Sequence, residues 1–175
     1  LSDKQPNYDY LSRVGIIKTD RLNVRSIKVY ADGALGSRGA CLLEPYSDKP
    51  GWSGFLLSNP AHFDSVAAFI ASKGWQMCTH AIGDSGNRTV LKIYAKYLNG
   101  KNDLRWRIEH AQVVNENDFH YFGDYSIIPS VQPTHATSDM YWAGKRLGPK
   151  RIKGAYAYKQ LLQQNGWEPL GTDFP

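Results

Sequence analysis

Trp75-Gln76-Met77-Cys78-Thr79-His80 is a short, largely apolar run that stops at a histidine and passes into Ala81-Ile82-Gly83-Asp84. Two later segments have the same shape, Trp106-Arg107-Ile108-Glu109-His110 and Glu168-Pro169-Leu170-Gly171-Thr172-Asp173. An earlier one is Ile27-Lys28-Val29-Tyr30-Ala31-Asp32-Gly33. Each reads as a strand that ends at a polar side chain and runs into a loop. Barrel enzymes present their catalytic groups in this way, at the C-terminal rim of the strands. Imidazole nitrogen and carboxylate oxygen suit Zn²⁺ and similar ions, so two histidines and an aspartate delivered together suggest a metal site. From spacing alone, a metal site and a coincidence of structural residues both stand.

The segments between these strands are helical in pattern. Residues 1–25 are polar and irregular, with Leu11-Ser12-Arg13-Val14-Gly15-Ile16-Ile17 readable as a helix end followed by the start of a strand. In 26–32, Ile27, Val29 and Ala31 alternate with Lys28, Tyr30 and Asp32, which places the polar three on one face. Residues 33–60 are rich in Gly, Ser and Pro and read as a long loop, which is usually functional or mobile. Asn59-Pro60 opens a helix over 62–73, and Gly74 stops it. Strand 75–80 follows, then a helix over 86–98 capped near Asp84 or Ser85. Strand 105–110, a short helix near 115–122, strand 126–131, a helix over 150–165 and strand 167–172 complete the order. Strand–helix alternation argues for a parallel α/β sheet. A complete (β/α)8 barrel needs eight strands and about 250 residues.

Composition excludes several classes. The 175 residues suffice for one domain with a sizeable core, and 42% hydrophobic with 21% charged residues is ordinary for a globular protein. Net charge is +5, yet the basic residues cluster only from Lys145-Arg146 to Lys153. That stretch reads as a solvated loop and helix start, so no nucleic-acid partner is expected. Cys41 and Cys78 make no disulfide framework, and Cys78 reads as a small buried hydrophobe. No apolar run is long enough for a membrane span. The compartment stays open between cytoplasmic and exported.

Five ordered motifs carry a resemblance. They are Asp32-Gly33-Ala34-Leu35-Gly36-Ser37-Arg38, His80-Ala81-Ile82-Gly83-Asp84, Arg107-Ile108-Glu109-His110-Ala111-Gln112, Gln132-Pro133-Thr134-His135 and Gly171-Thr172-Asp173-Phe174-Pro175. Together they resemble the metal-dependent amidohydrolase superfamily, and within it the YtcJ-like branch that includes an N-substituted formamide deformylase. The resemblance implies a partial TIM (β/α)8 barrel, strands four to eight with their helices. It places a carboxylated-lysine role on Lys28, metal-ligand roles on His80 and His110, and a ligand and proton-transfer role on Asp173. The family's HxH pair has no counterpart here. Residues 1–175 are therefore expected to be a fragment of a single barrel domain, lacking the first three strands and the flanking β-sandwich.

The implied activity is hydrolysis of an amide-like C–N bond in a small molecule by metal-activated hydroxide, with one or two divalent ions such as Zn in the intact enzyme. His135 and Arg38 are candidate substrate contacts. Loop packing for His135 and an ion pair for Arg38 are the competing readings. Asp84 reads more readily as a helix cap, and Glu109 as facing the helix layer. Asp139, Tyr141 and Trp142 read as part of a loop after the strand at 126–131, placed to form a pocket wall. The fragment alone is expected to be inactive and to self-associate through open barrel edges. Two other readings are a mononuclear enzyme of the same fold and a non-catalytic α/β binding domain with structural His and Asp residues.

Overall fold

The computed structural model describes residues 1–173. A short antiparallel pair, β1 (Ile17–Lys18) and β2 (Asn23–Val24), precedes a four-stranded parallel sheet. That sheet contains β3 (Ser26–Tyr30), β4 (Gln76–Ala81), β5 (Arg107–His110) and β6 (Ile128–Ser130), side by side in chain order. The helices are α1 (Gln5–Val14), α2 (Pro60–Ser72), α3 (Asp84–Leu98), α4 (His120–Asp124), α5 (Pro133–Asp139), α6 (Ala143–Arg151) and α7 (Tyr158–Asn165). No helix among the described residues is long and apolar enough to cross a membrane.

The alternation of strand side chains divides the sheet into two faces. Ile27, Val29, Met77 and Ile108 turn toward the helices and are buried with Phe63, Ile70, Leu91 and Tyr94. Lys28, Cys78 and Arg107 form one row on the opposite face, and Tyr30, His80 and Glu109 form the next. The sequence expectation for Glu109 is thereby corrected. It lies on the same face as His80, paired with Arg107 at 2.7 Å, because it is two residues along the strand from that arginine.

Local chemistry explains the helix ends. The Asn59 side chain accepts the His62 N–H at 2.8 Å, and Pro60 follows in the first turn. Asp84 does not cap α3. It is the first helical residue, and its carboxylate instead accepts the Leu43 N–H at 2.9 Å. The 33–60 segment is irregular but packed. Leu35, Ala40, Leu42 and Tyr46 form a second small core with Ile82, Val113 and Leu147. Gly83 lies so close to Cys41 that a Cβ there would stand 2.0 Å from the Cys41 carbonyl oxygen.

Four sequence expectations differ from the structure. Residues 1–25 are more ordered than their polarity suggests: the helix end read near Leu11–Val14 and the strand start at Ile17 are present, but the helix is a full α1 from Gln5, with Tyr8 and Leu11 buried, opened by Pro6 and closed by Gly15 at φ 70. Helix α5 forms where only a strand-to-loop passage was read, nucleated by Pro133 after the extended Gln132. The 150–165 helix is broken into the end of α6, a 3₁₀ turn at Ile152–Gly154 and α7. Gly148 is left-handed there, and Gly154 presses on the Val114 carbonyl, which leaves a Cβ no room. Strand 167–172 is reduced to one parallel bridge, Val131 to Leu170. Its two hydrogen bonds run from the Val131 N–H to the Pro169 carbonyl and from the Gly171 N–H to the Val131 carbonyl.

The sheet edges are less open than the sequence suggested. A parallel bridge joins Ser2 to Lys28 on the outer side of β3, and the Val131–Leu170 bridge lies beside β6. Each edge thus receives a short segment of the chain's own ends.

Candidate functional site

A cavity of about 500 Å³ opens at the C-terminal ends of β3, β4 and β5. Lys28, His80, His110, His135 and Asp173 all line it. Arg38 does not. Its guanidinium makes two hydrogen bonds to Asp48, at 3.1 and 3.0 Å, so the ion-pair reading describes where the structure puts it.

His80 and His110 stand edge to face with ring centroids 4.6 Å apart. His80 reaches the cavity by simple alternation. His110 does not, because alternation would send it with Ile108 toward the helices. It has φ 75 and Ala111 has φ 43, two successive left-handed residues without glycine. Such conformations cost on the order of 1 kcal/mol each, and here they turn the ring back to the cavity.

Both imidazoles are held in the neutral form that binds metals. Burial lowers the pKa of His80 to about 4, with His110 and Lys28 pushing the same way. Burial also lowers that of His110, opposed by its hydrogen bond to Gln132. His110 Nδ1 lies 2.6 Å from Gln132 Oε1, an atom that only accepts, so the proton is on Nδ1 and the lone pair is on Nε2. Among the described residues, the buried His80 Nε2 has no hydrogen-bond partner, and it lies 3.7 Å from Asp32 Oδ1. In the metal-free chain, NMR titration should show His80 ring signals moving near pH 4. His110 should also titrate below the usual histidine range.

Lys28 is half-buried, and burial lowers its pKa against the pull of Glu109 and Asp173. Its Nζ lies over the Tyr30 ring, 5.0 Å from the centroid. Asp173 is exposed and left-handed at φ 58. The last two residues of its motif, Phe174 and Pro175, lie outside the described residues. Among the described residues, no three His, Cys, Asp or Glu side chains converge tightly enough to hold an ion by themselves. The donor types here are nonetheless ones that metal ions take. Two neutral imidazoles meet, one buried ring nitrogen lacks a partner among the described residues, and an aspartate and a lysine share the cavity.

His135 stacks on His110 with centroids 5.7 Å apart. Asp139 and Trp142 line the cavity, whereas Tyr141 is 79% exposed and does not. Sequence reasoning missed Gln132, the partner that fixes the His110 tautomer. Its signals were its place at the head of the Gln132-Pro133-Thr134-His135 motif and its position between a strand and a helix-starting proline. Asp32 was read as facing the same way as Lys28 and Tyr30. It is instead buried beyond the end of β3, where it accepts N–H groups from Cys41, Ile82 and Gly83 at 2.8, 2.9 and 2.8 Å.

The profile of the Amidohydrolase family matches residues 4–175. This chain belongs to the amidohydrolase family. The Arabidopsis thaliana protein LONG AFTER FAR-RED 3 is 35% identical to it over 164 residues, covering 92% of this chain and 28% of that protein. YtcJ of Bacillus subtilis (strain 168), which carries an amidohydrolase name, is 34% identical over 152 residues, covering 86% and 28% respectively. The crystal structure of an uncharacterized metal-dependent hydrolase from Pyrococcus horikoshii superposes with a TM-score of 0.87 at 30% identity. That match covers 97% of this chain and 34% of the hydrolase. The amidohydrolase chain described here thus spans about a third of the length of the relatives it matches.

Proposed function

We propose that the intact protein is a metal-dependent hydrolase of amide-like C–N bonds in small molecules. In this reading, residues 1–175 supply strands four to eight of a (β/α)8 barrel. The observation that carries the proposal is the meeting of two neutral imidazoles, His80 and His110, at a cavity that Lys28 and Asp173 also line. The family membership and the metal-dependent hydrolase neighbour support it.

His80 and His110 would hold a divalent ion, and this nitrogen and oxygen donor set suits Zn²⁺. Once bound, the ion supplies Lewis acidity, polarising a carbonyl and lowering the pKa of water. Gln132 keeps the His110 lone pair on Nε2, aimed by the second hydrogen bond that Gln132 makes to the Ser130 carbonyl. Asp173 accepts the proton of the attacking water and passes it to the leaving nitrogen as the C–N bond breaks. Lys28 has the burial that favours a neutral amine, which can capture CO2 as a carbamate and release a proton. A carbamate there would add a negative ligand able to bridge two ions.

Elemental analysis of the full-length protein separates the two versions of this site. Two ions per chain, falling to one or none in Lys28→Ala, are expected. One ion in both proteins would favour the mononuclear site with Lys28 as an unmodified cation.

Residues 1–175 by themselves are proposed to be inactive, because the remaining ligands must come from elsewhere in the protein. Among the described residues, the β3 edge pairs only with the short segment Leu1–Asp3 and the β6 side only with Pro169–Gly171, and edges covered over so short a length recruit other chains. Size-exclusion chromatography should therefore show dimers or larger species, and a strict monomer at high concentration contradicts this.

A further inference from the structure

One carboxylate in the cavity has no part in the proposed chemistry. Asp139 is the last residue of α5, the end where a helix disfavours negative charge. Among the described residues it has no ion-pair partner within 4.0 Å. Three neutral donors hold it instead. The Tyr156 hydroxyl donates to Oδ2 at 2.7 Å, Gln112 Nε2 donates to the same oxygen at 3.3 Å, and the Ser138 hydroxyl donates to Oδ1 at 2.9 Å.

The holders are themselves fixed. Gln112 is buried, and its Nε2 also donates to the Tyr156 hydroxyl at 2.9 Å. Tyr156 has a left-handed backbone at φ 52, pinned by its N–H to the Gln112 carbonyl at 2.7 Å. Two separate chain segments, at Gln112 and Tyr156, together with the neighbouring Ser138, thus orient one carboxylate. A carboxylate offers about four lone-pair positions, so one remains for a ligand. Of the described residues lining the cavity, Lys28 is the only lysine or arginine, and it stands with His80 and His110. The same cavity is also lined by the apolar side chains of Leu35, Ile82 and Trp142.

We infer that Asp139, positioned by Tyr156 and Gln112, is a specificity-determining residue for substrates that carry a cationic nitrogen beside an apolar group. The ammonium takes the free lone pair of Asp139, and the apolar part lies against Leu35, Ile82 and Trp142. The inference rests on the reading of this cavity as the substrate site and adds the substrate class.

Calorimetric titration of the full-length protein with benzylammonium and with benzyl alcohol tests it, since the two probes share a ring and differ in charge. The wild type should bind benzylammonium about tenfold more tightly, as a charge-assisted hydrogen bond supplies. Asp139→Asn should bring the two affinities within about twofold while leaving benzyl alcohol unchanged. Asp139→Glu keeps the charge and should retain part of the preference, which covers the case in which Asp139→Asn does not fold. Equal wild-type affinities, no benzylammonium binding, or a preference that survives in Asp139→Asn overturns the inference. The titration needs no turnover, so a failure to hydrolyse amides counts against the hydrolase reading alone.

Discussion

Replacing both His80 and His110 by Ala in the full-length protein is expected to reduce amide hydrolysis by about a thousandfold or more and to lower the metal content. The argument begins with their protonation state. An imidazolium cannot ligate, and burial holds both rings neutral, His80 most strongly. The rings approach to 4.6 Å, so removing both deletes adjacent donors from one wall of the cavity. Loss of metal removes both carbonyl polarisation and the lowered water pKa, and each is worth several kcal/mol in the transition state. The fold should survive, because both side chains end strands at the cavity and neither belongs to the apolar core. Gln132→Ala should act in the same direction but less, since it frees the His110 tautomer while leaving the ligand in place. Loss of a hydrogen bond to a metal-ligating histidine typically costs 10–100-fold in affinity or activity. Unchanged hydrolysis and metal content in the double variant would sink the metal-site reading and favour a binding domain with structural histidines.

The parts of the fold legible in the sequence were those with strong periodicity. Strands β3, β4, β5 and β6 and helices α2 and α3 carry their own burial pattern in the order of apolar residues, and their ends carry Gly or Asn-Pro signals. Less legible were elements whose form depends on distant partners. Helix α1 is mostly polar and is held by only Tyr8 and Leu11. The break after Arg151 follows from the approach of Gly154 to Val114, forty residues earlier in the chain. The last predicted strand has Pro169 in its middle, which lacks an N–H, and only one bridge forms.

The same distinction governs the site. The positions of His80, His110 and Lys28 were legible because each lies on a strand whose pattern the sequence carries, and Asp173 joins them at the cavity just past the Val131–Leu170 bridge. Asp32 and Gln132 were not, because their importance lies in what crosses to them from other segments. The His110 backbone also breaks the alternation that sequence patterns assume, and a pair of left-handed residues there has no signature in residue type.

Asp32→Ala should be the most damaging single change to stability outside the apolar core. The carboxylate joins three segments, the strand end, the 33–60 loop and the β4–α3 turn. Its oxygens accept N–H groups from Cys41, Ile82 and Gly83. A hydrogen bond to a charged group contributes about 1.5–3 kcal/mol, so three of them sum to roughly 5–9 kcal/mol in gross terms. The opposing effect is burial, which pushes the Asp32 pKa up to about 6 even against those donors. Truncation to Ala leaves the N–H groups of Cys41, Ile82 and Gly83 without this acceptor, and an unsatisfied buried donor costs about 1–3 kcal/mol, so a net loss of about 3 kcal/mol is expected, a large share of the stability of an ordinary domain. Asp32→Asn keeps one acceptor oxygen but turns an NH2 toward backbone donors, so it should fall between the wild type and Asp32→Ala. Urea denaturation at pH 7 reads both variants as a lower midpoint at constant slope. A loss below about 1 kcal/mol for Asp32→Ala would show that the loop and the turn are held by the Leu42–Tyr46 packing rather than by this carboxylate.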